Sequence, residues 1–426
     1  VAVIKRGLVV GIVYLLIISS ILAKNETTTS EDGWIKTFGG AGEDVGTSVQ
    51  ETRDGGYIIT GSTTSHRESI AYSWLIKASR IGEIWLIKTD SEGNSLWERT
   101  FGGLGKDIGF SVQQTEDGGF IVAGATKPHA IGDYDIWLIK TDPAGNPEWD
   151  RTFGGRGNDW PNAVQETADG GYIITGGTES YGAGFSNAFL VKTPRNTNLW
   201  LIKTDSKGNS VWDRTFGGSD FDEGASIQET KDSGYIVTGY TTSRGAGGSD
   251  IWLVKTDQNG HQLWEKTFGG PGEDVGFSVR EANDLGYIIA GGTESYGNGS
   301  KDLWLIKTDS NGTEEWEKTF GGPSFDEGLA VQATKDDGYV VAGYTTHHNE
   351  GAVRSWLLNT ADKSRVWLVK TDSKGDMEWN RTFGGEGNDW ANAVDITADG
   401  GYIITGGTDS TGDGSRDVLL IKASSG

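Results

Sequence analysis

Seven aspartates recur at one place in the chain: Asp44, Asp107, Asp159, Asp222, Asp274, Asp326 and Asp389, each a few residues beyond a Gly-Gly pair. A ring of carboxylates can hold Ca²⁺ or a cationic ligand. It can equally accept backbone N–H bonds and knit strands together. Sevenfold recurrence favours the structural role, and no DxDxDG loop marks a dedicated calcium site. The expectation is therefore no metal and no cofactor. Only His347 and His348 are adjacent among five scattered histidines, a surface pattern rather than a metal site. No serine or histidine triad, phosphate loop or dinucleotide fingerprint stands out. The chain has no Cys, which excludes a disulfide scaffold, a thiolate metal site and a cysteine nucleophile.

The aromatic residues form a second set. Of 17 Trp, thirteen sit at two recurring places. One place holds Trp85, Trp137, Trp200, Trp252, Trp304 and Trp367; the other holds Trp34, Trp97, Trp149, Trp212, Trp264, Trp316 and Trp379. Regular placement of large rings suits packing between repeated layers. The remaining Trp74, Trp160, Trp356 and Trp390 break the pattern, as do Tyr72, Tyr181 and Tyr296. These seven are the candidate ligand-binding residues, because exposed aromatics suit glycans or protein partners. Recurring basic residues (Lys88, Lys140 and Lys203 in one run; Arg99, Arg151 and Arg214 in another) are spread too evenly for a basic patch. They are expected to pair with acids on neighbouring strands or to lie over Trp faces.

The elements that position these residues follow from repeat arithmetic. TFGG places its Phe at 38, 101, 153, 216, 268, 320 and 383, with spacings of 63 or 52 residues. Periods of this size indicate propellers, solenoids or arrays. Each unit holds four runs rich in Val, Ile, Thr, Tyr, Trp and Phe, separated by Gly, Asp, Asn and Ser clusters. In the unit that starts at Phe268 the runs A to D are Val275–Ala282, Gly286–Thr293, Asp302–Asp309 and Glu314–Phe320. The first unit is a lone run D (Trp34–Phe38); the last supplies A (Trp390–Thr397), B (Gly401–Thr408) and C (Arg416–Ala423). Joining the two ends completes a seventh four-stranded unit and removes two open edges. The expected fold is an all-β, seven-bladed β-propeller of antiparallel blades over residues 33–426, with Trp34–Phe38 paired to Val418–Lys422.

The strand order and the one-plus-three closure resemble WD-repeat propellers. The unit DGGYIITGGT…DIWLIKTDSxGNxxWxxTFGG is similar to the secreted propeller repeats of prokaryotic cell surfaces. The WD-repeat resemblance implies a hydrogen-bonding residue between strands D and A, the place of the recurring Asp. The TxDGG turn of Thr52–Gly56 and Thr115–Gly119 resembles half of the sialidase Asp-box, but the closing Trp or Thr is missing, so it reads as a hairpin. Every acidic position recurs around the ring, which leaves no glycosidase carboxylate pair to single out. The long spacings come from 11-residue insertions between B and C, at Ser73–Glu83, Asn187–Asn198 and Ser355–Arg365, each similar to a copy of strand C. B–C and D–A links emerge on the same face, so that face is the expected working face.

The chain's ends and charge bound the rest. With 60 Asp and Glu against 37 Lys and Arg, the net charge of −23 argues against nucleic-acid binding. Lys5 and Arg6 precede an uncharged stretch from Gly7 to Ala23. That is the layout of a signal peptide cleaved after Ala23, or of an uncleaved N-terminal membrane anchor. Residues 24–32 read as a polar linker. Sequons begin at Asn25, Asn298, Asn311 and Asn380. The expectation is an exported or cell-surface monomer that binds glycan or protein without catalysis. The alternative is a propeller enzyme, a glycoside hydrolase or lyase, with its site at the channel mouth. Catalysis needs residues with distinct environments, and here the polar positions repeat almost unchanged.

Overall fold

A computed structural model describes residues 33–65, 82–103, 105–127, 133–182, 196–346, 363–412 and 414–425. Its 28 strands form seven antiparallel sheets of four, each in the order A-B-C-D. Blade one runs from Asp44 to Phe101, two from Ile108 to Phe153, three from Asp159 to Phe216, four from Asp222 to Phe268, five from Asp274 to Phe320 and six from Asp326 to Phe383. Blade seven takes A, B and C from Asp389–Ile396, Tyr402–Thr408 and Asp417–Ala423, and D from Gly33–Phe38. The closing register is Trp34↔Lys422 through Phe38↔Val418, as the repeat arithmetic requires. The strand bounds differ from the sequence reading by a residue at most ends; strand A of blade five, for example, is Asp274–Glu281.

Each blade buries its B and C strands almost completely, and the core lies between adjacent sheets. One cluster joins Tyr57, Ile59, Trp85 and Ile87 of blade one to Ile403, Val418 and Leu420 of blade seven. The strand-C Trp85 and Trp252 are 1% and 0% exposed, so packing accounts for these rings. Each strand-D Trp leans on an aromatic of the next blade, as in Trp97–Phe120 at 5.8 Å and Trp149–Tyr172 at 5.8 Å, and all seven junctions repeat this pair. Gly260, at φ +74°, turns strand C of blade four into D with the Trp212 ring against it. A Cβ there would sit 2.6 Å from that ring, so the turn needs glycine for both conformation and space.

The basic residues divide between the two expected roles. All seven strand-C lysines reach the Asp of their own blade's A–B turn, from Lys307–Asp284 at 2.7 Å to Lys88–Asp54 at 3.0 Å. In strand D, Arg99, Arg151, Arg214 and Arg381 lie over the Trp two residues before them, 4.7 to 5.5 Å from the ring centroid. At Asp117 burial pushes the carboxyl pKa up, but hydrogen bonds from Lys140, Thr115 and the Gly119 N–H outweigh it and hold the group at about 2.

The A strands touch one another all the way round and so line the central axis. One of their positions forms a belt between blades. Gln50, Gln113, Gln165 and Gln228 each accept the backbone N–H of the next A strand through Oε1, at 2.6 to 2.7 Å. The belt is not uniform, and two of its positions depart from a repeat whose polar positions are otherwise almost unchanged. Blade five carries Arg280 and blade seven Asp395 at this place. Arg280 Nε donates to Gln332 Oε1 at 3.1 Å, and Gln332 Nε2 lies 3.4 Å from Asp395 Oδ1. Burial lowers the Arg280 pKa against the pull of Asp395, and burial raises that of Asp395.

Candidate functional site

The seven recurring aspartates are almost fully buried. Six of them open strand A rather than preceding it; only Asp107 stands one residue before its strand. Each accepts, through Oδ2, the N–H of the second glycine of TFGG: Gly40 for Asp44 at 3.0 Å, Gly155 for Asp159 at 2.9 Å, Gly322 for Asp326 at 2.8 Å. Most also accept a B–C loop hydroxyl, such as Ser180 Oγ at 2.6 Å on Asp159 and Ser295 Oγ at 2.6 Å on Asp274. From the end of strand B, Thr126 Oγ1 bonds Asp107 at 2.6 Å, and Thr241 and Thr408 bond Asp222 and Asp389. The carboxylate thus ties the D–A link to the B–C loop, and these two loops share one face. Burial raises the pKa of Asp159 even though Ser180, Thr178 and Gly155 all donate to it. Among the described residues no group of three or more His, Cys, Asp or Glu is placed to hold a metal ion.

On that face stand the described candidate aromatics. Tyr181 and Tyr296 occupy equivalent B–C positions, both 43% exposed. Each ring tilts over a strand-C Trp, 5.2 Å from Trp200 and Trp304, and each hydroxyl donates to a D–A carbonyl, Gly154 O at 2.8 Å and Gly269 O at 3.1 Å. In blade four Arg244 takes this place, 4.9 Å from the Trp252 ring. The seats are pinned, so the rings are presented rather than mobile.

Trp160 and Trp390 are the second residues of their A strands, Asp159–Glu166 and Asp389–Ile396. Both are half-buried. The Trp160 indole N–H donates to Glu223 Oε1 at 2.7 Å. Glu223 also accepts from Asn162 Nδ2 at 2.7 Å and Tyr240 Oη at 2.9 Å. The Arg416 guanidinium lies 4.8 Å from the Trp390 ring. Glu223 and its counterpart Glu327, which holds Lys301 at 2.7 Å, stand where other blades carry Val45, Trp160, Val275 or Trp390. Acidic positions therefore do not all recur. Tyr72, Trp74 and Trp356, with most of each 11-residue insertion, lie outside the described residues, as do residues 1–32.

Two aromatics escaped sequence reasoning. Phe221 and Phe325 are 47% and 50% exposed, each one residue before a recurring Asp. The signal was present: at this place the other blades carry Glu43, Lys106, Asn158, Glu273 and Asn388. A Phe among polar equivalents in an exposed link has no packing reason. Among the described residues ten large apolar side chains are exposed, and of these Tyr181, Phe221, Tyr296 and Phe325 lie on this face, in blades three to six.

The opposite end carries cavities. One of about 400 Å³ between blades two and three is lined by Asp117, Lys140, Glu148, Trp149, Glu166 and Tyr172. Another of about 460 Å³ between blades three and four has Asp169, Lys203, Trp212 and Tyr235 at the same places. Both contain the Lys–Asp pair that recurs in every blade, so they belong to the scaffold.

No family model matches the chain. It is similar to the regulatory protein FlaEY of Caulobacter vibrioides, 26% identical over 204 residues that cover 42% of this chain and 20% of that protein. It is also similar to an uncharacterized WD repeat-containing protein of Acanthamoeba polyphaga mimivirus, 22% identical over 416 residues that cover 71% of this chain and 30% of that protein. The matches span less than a third of these relatives' own length. Among solved structures, a mutant puromycin hydrolase complexed with PGG aligns at a TM-score of 0.51 and 12% identity, over 89% of this chain and 52% of its own. That likeness is one of fold. The chain folds as a seven-bladed β-propeller.

Proposed function

We propose that this chain is an exported, non-enzymatic interaction module that binds protein or glycan through the face of its D–A links and B–C loops. One observation carries the reading. Tyr181, Phe221, Tyr296 and Phe325 stand exposed there on pinned backbone, while the same frame in other blades carries polar residues. Rigid aromatics that leave water on contact contribute disproportionately to binding. Export is supported by the basic-then-apolar layout of residues 1–23, and the protein acts as a monomer at the cell surface. The recurring aspartates of this face are engaged in holding its loops, which supports binding over catalysis.

The test is a glycan array and a peptide array probed with the full chain. Ligands found should weaken on Trp74→Ala, Trp160→Ala, Trp356→Ala or Trp390→Ala, or on loss of the four exposed rings. Glu92→Ala and Lys207→Ala, in C–D turns at the other end, should leave affinity unchanged. Affinity that follows the turn substitutions overturns the reading. N-terminal sequencing from the native host should find a start near Lys24, or an intact apolar segment in the membrane fraction.

A further inference from the structure

We infer that the ligand of this face is an extended peptide segment carrying a Lys or Arg between two apolar residues, seated across blades four to six. The inference rests on the D–A/B–C face being the binding face, and it names the class of ligand.

The argument starts from one backbone frame. The residue before six of the seven recurring Asp offers its carbonyl to the B–C loop, as where Thr64 N–H donates to Glu43 O at 3.0 Å, Thr242 N–H to Phe221 O at 2.8 Å, Glu294 N–H to Glu273 O at 3.0 Å and Thr346 N–H to Phe325 O at 2.9 Å. The frame holds equally with Glu, Asn or Phe, so stability does not require the Phe rings. Their own N–H groups are also engaged, Phe221 with Thr242 Oγ1 at 2.9 Å and Phe325 with Thr346 Oγ1 at 2.8 Å. The two rings therefore stand in water on backbone that needs no reordering to bind.

Around the ring the order at this seat is Phe221, Glu273, Phe325, on three consecutive links. Glu294 is bonded to the Glu273 backbone, and Asp220 precedes Phe221. In the B–C loops of blades four and five the bases are engaged: Arg244 with Glu265 at 3.2 Å and Lys301 with Glu327 at 2.7 Å. An apolar, acidic, apolar series is complementary to an apolar, basic, apolar one. A neutral sugar would stack on the rings and donate hydroxyl bonds to the carboxylates, but would leave their charge uncompensated. A basic side chain between two apolar ones satisfies both, and the chain's charge of −23 favours its approach.

The experiment measures fluorescence anisotropy of labelled decapeptides with the full chain. One library alternates apolar and Lys or Arg positions; a second has Glu in place of the base; a panel of neutral oligosaccharides is the third probe. The basic library should bind, less tightly at high salt. Phe221→Ala and Phe325→Ala should each weaken it by roughly tenfold, and Glu273→Lys by at least as much. Glu43→Lys, at the same seat in blade one, should leave it unchanged. All four side chains are exposed or half-exposed, and unchanged melting of the variants shows that the ring is intact. Equal binding of the Glu library, or binding indifferent to both Phe substitutions, overturns the inference. Oligosaccharide binding lost with the same Phe rings overturns the peptide class while leaving the face in place. Self-association abolished by Phe221→Ala makes a second copy the occupant and overturns it too.

Discussion

Glu51 donates its backbone N–H to Asp395 Oδ2 at 3.1 Å, across the seam where blade seven meets blade one. The same Glu51 accepts the Ala398 N–H through Oε2 at 2.7 Å, so the two blades exchange bonds. At four other junctions a Gln does the work of Asp395. Asp395→Ala should leave the Glu51 N–H unsatisfied and cost about 1–3 kcal/mol in denaturant unfolding. Asp395→Gln should recover most of that loss, because it restores the residue used elsewhere in the belt. Equal stability of the Ala variant would remove this role.

Closure itself can be tested at the other side of the same blade. Gly33–Phe38 pairs along its whole length with the last strand. Deleting residues 33–40 should open two sheet edges. The expected result is a large fall in melting temperature together with aggregation at concentrations where the full chain does not aggregate.

Two blades differ in what remains when a turn Asp is removed. Lys140 keeps Glu148 at 3.3 Å after Asp117→Ala, whereas Lys203 has Val211 at the position equivalent to Glu148. Both ammonium groups are buried. Asp169→Ala should therefore cost about 2 kcal/mol, and Asp117→Ala clearly less. Chemical denaturation of the two single variants decides it.

Stability should peak in mild acid. Burial raises the carboxyl pKa of Asp135, Asp159, Asp250, Asp302 and Asp395. Their folded-state pKa exceeds the unfolded one, so they cost stability at neutral pH, and that cost is relieved as the pH falls through the raised values. Asp117, Asp169, Asp336 and Asp399 have the opposite sign, held at about 2 against the ordinary 3.8. Their contribution is complete above 3.8 and is lost as the pH falls toward about 2. Melting temperature should rise from pH 7 toward about 4, then drop steeply. A monotonic fall from neutrality would contradict the assignment.

Trp160→Ala and Trp390→Ala should separate. Loss of the Trp160 indole deprives Glu223 of one of three donors, so this variant should lose stability as well as affinity. Trp390 has an Arg416 stack, whose loss should cost less, about 1 kcal/mol. Thermal melts of the two variants distinguish them.

The amino-acid sequence alone determined the ring. The blade count, the four-strand unit, the pairing of Trp34–Phe38 with Val418–Lys422 and the packing role of thirteen Trp all follow from spacing, because a repeat that cannot bury its faces alone must stack on its neighbours. Periodicity reports what is common to the blades. It is blind to which departures from the repeat meet in space. Arg280 and Asp395 are 115 positions apart and read as scattered charges until the A strands bring them to one belt through Gln332. Trp160 stood out in the sequence only as a departure from the repeat; the register with Gly177 puts it in a strand, where its N–H meets Glu223 from the next blade. Phe221 and Phe325 were legible as substitutions at a polar seat, but their exposure depends on the D–A link turning outward while its backbone bonds the B–C loop inward. Only the tertiary structure decides that, because direction relative to a neighbouring blade is a property of the assembled ring and of no single repeat.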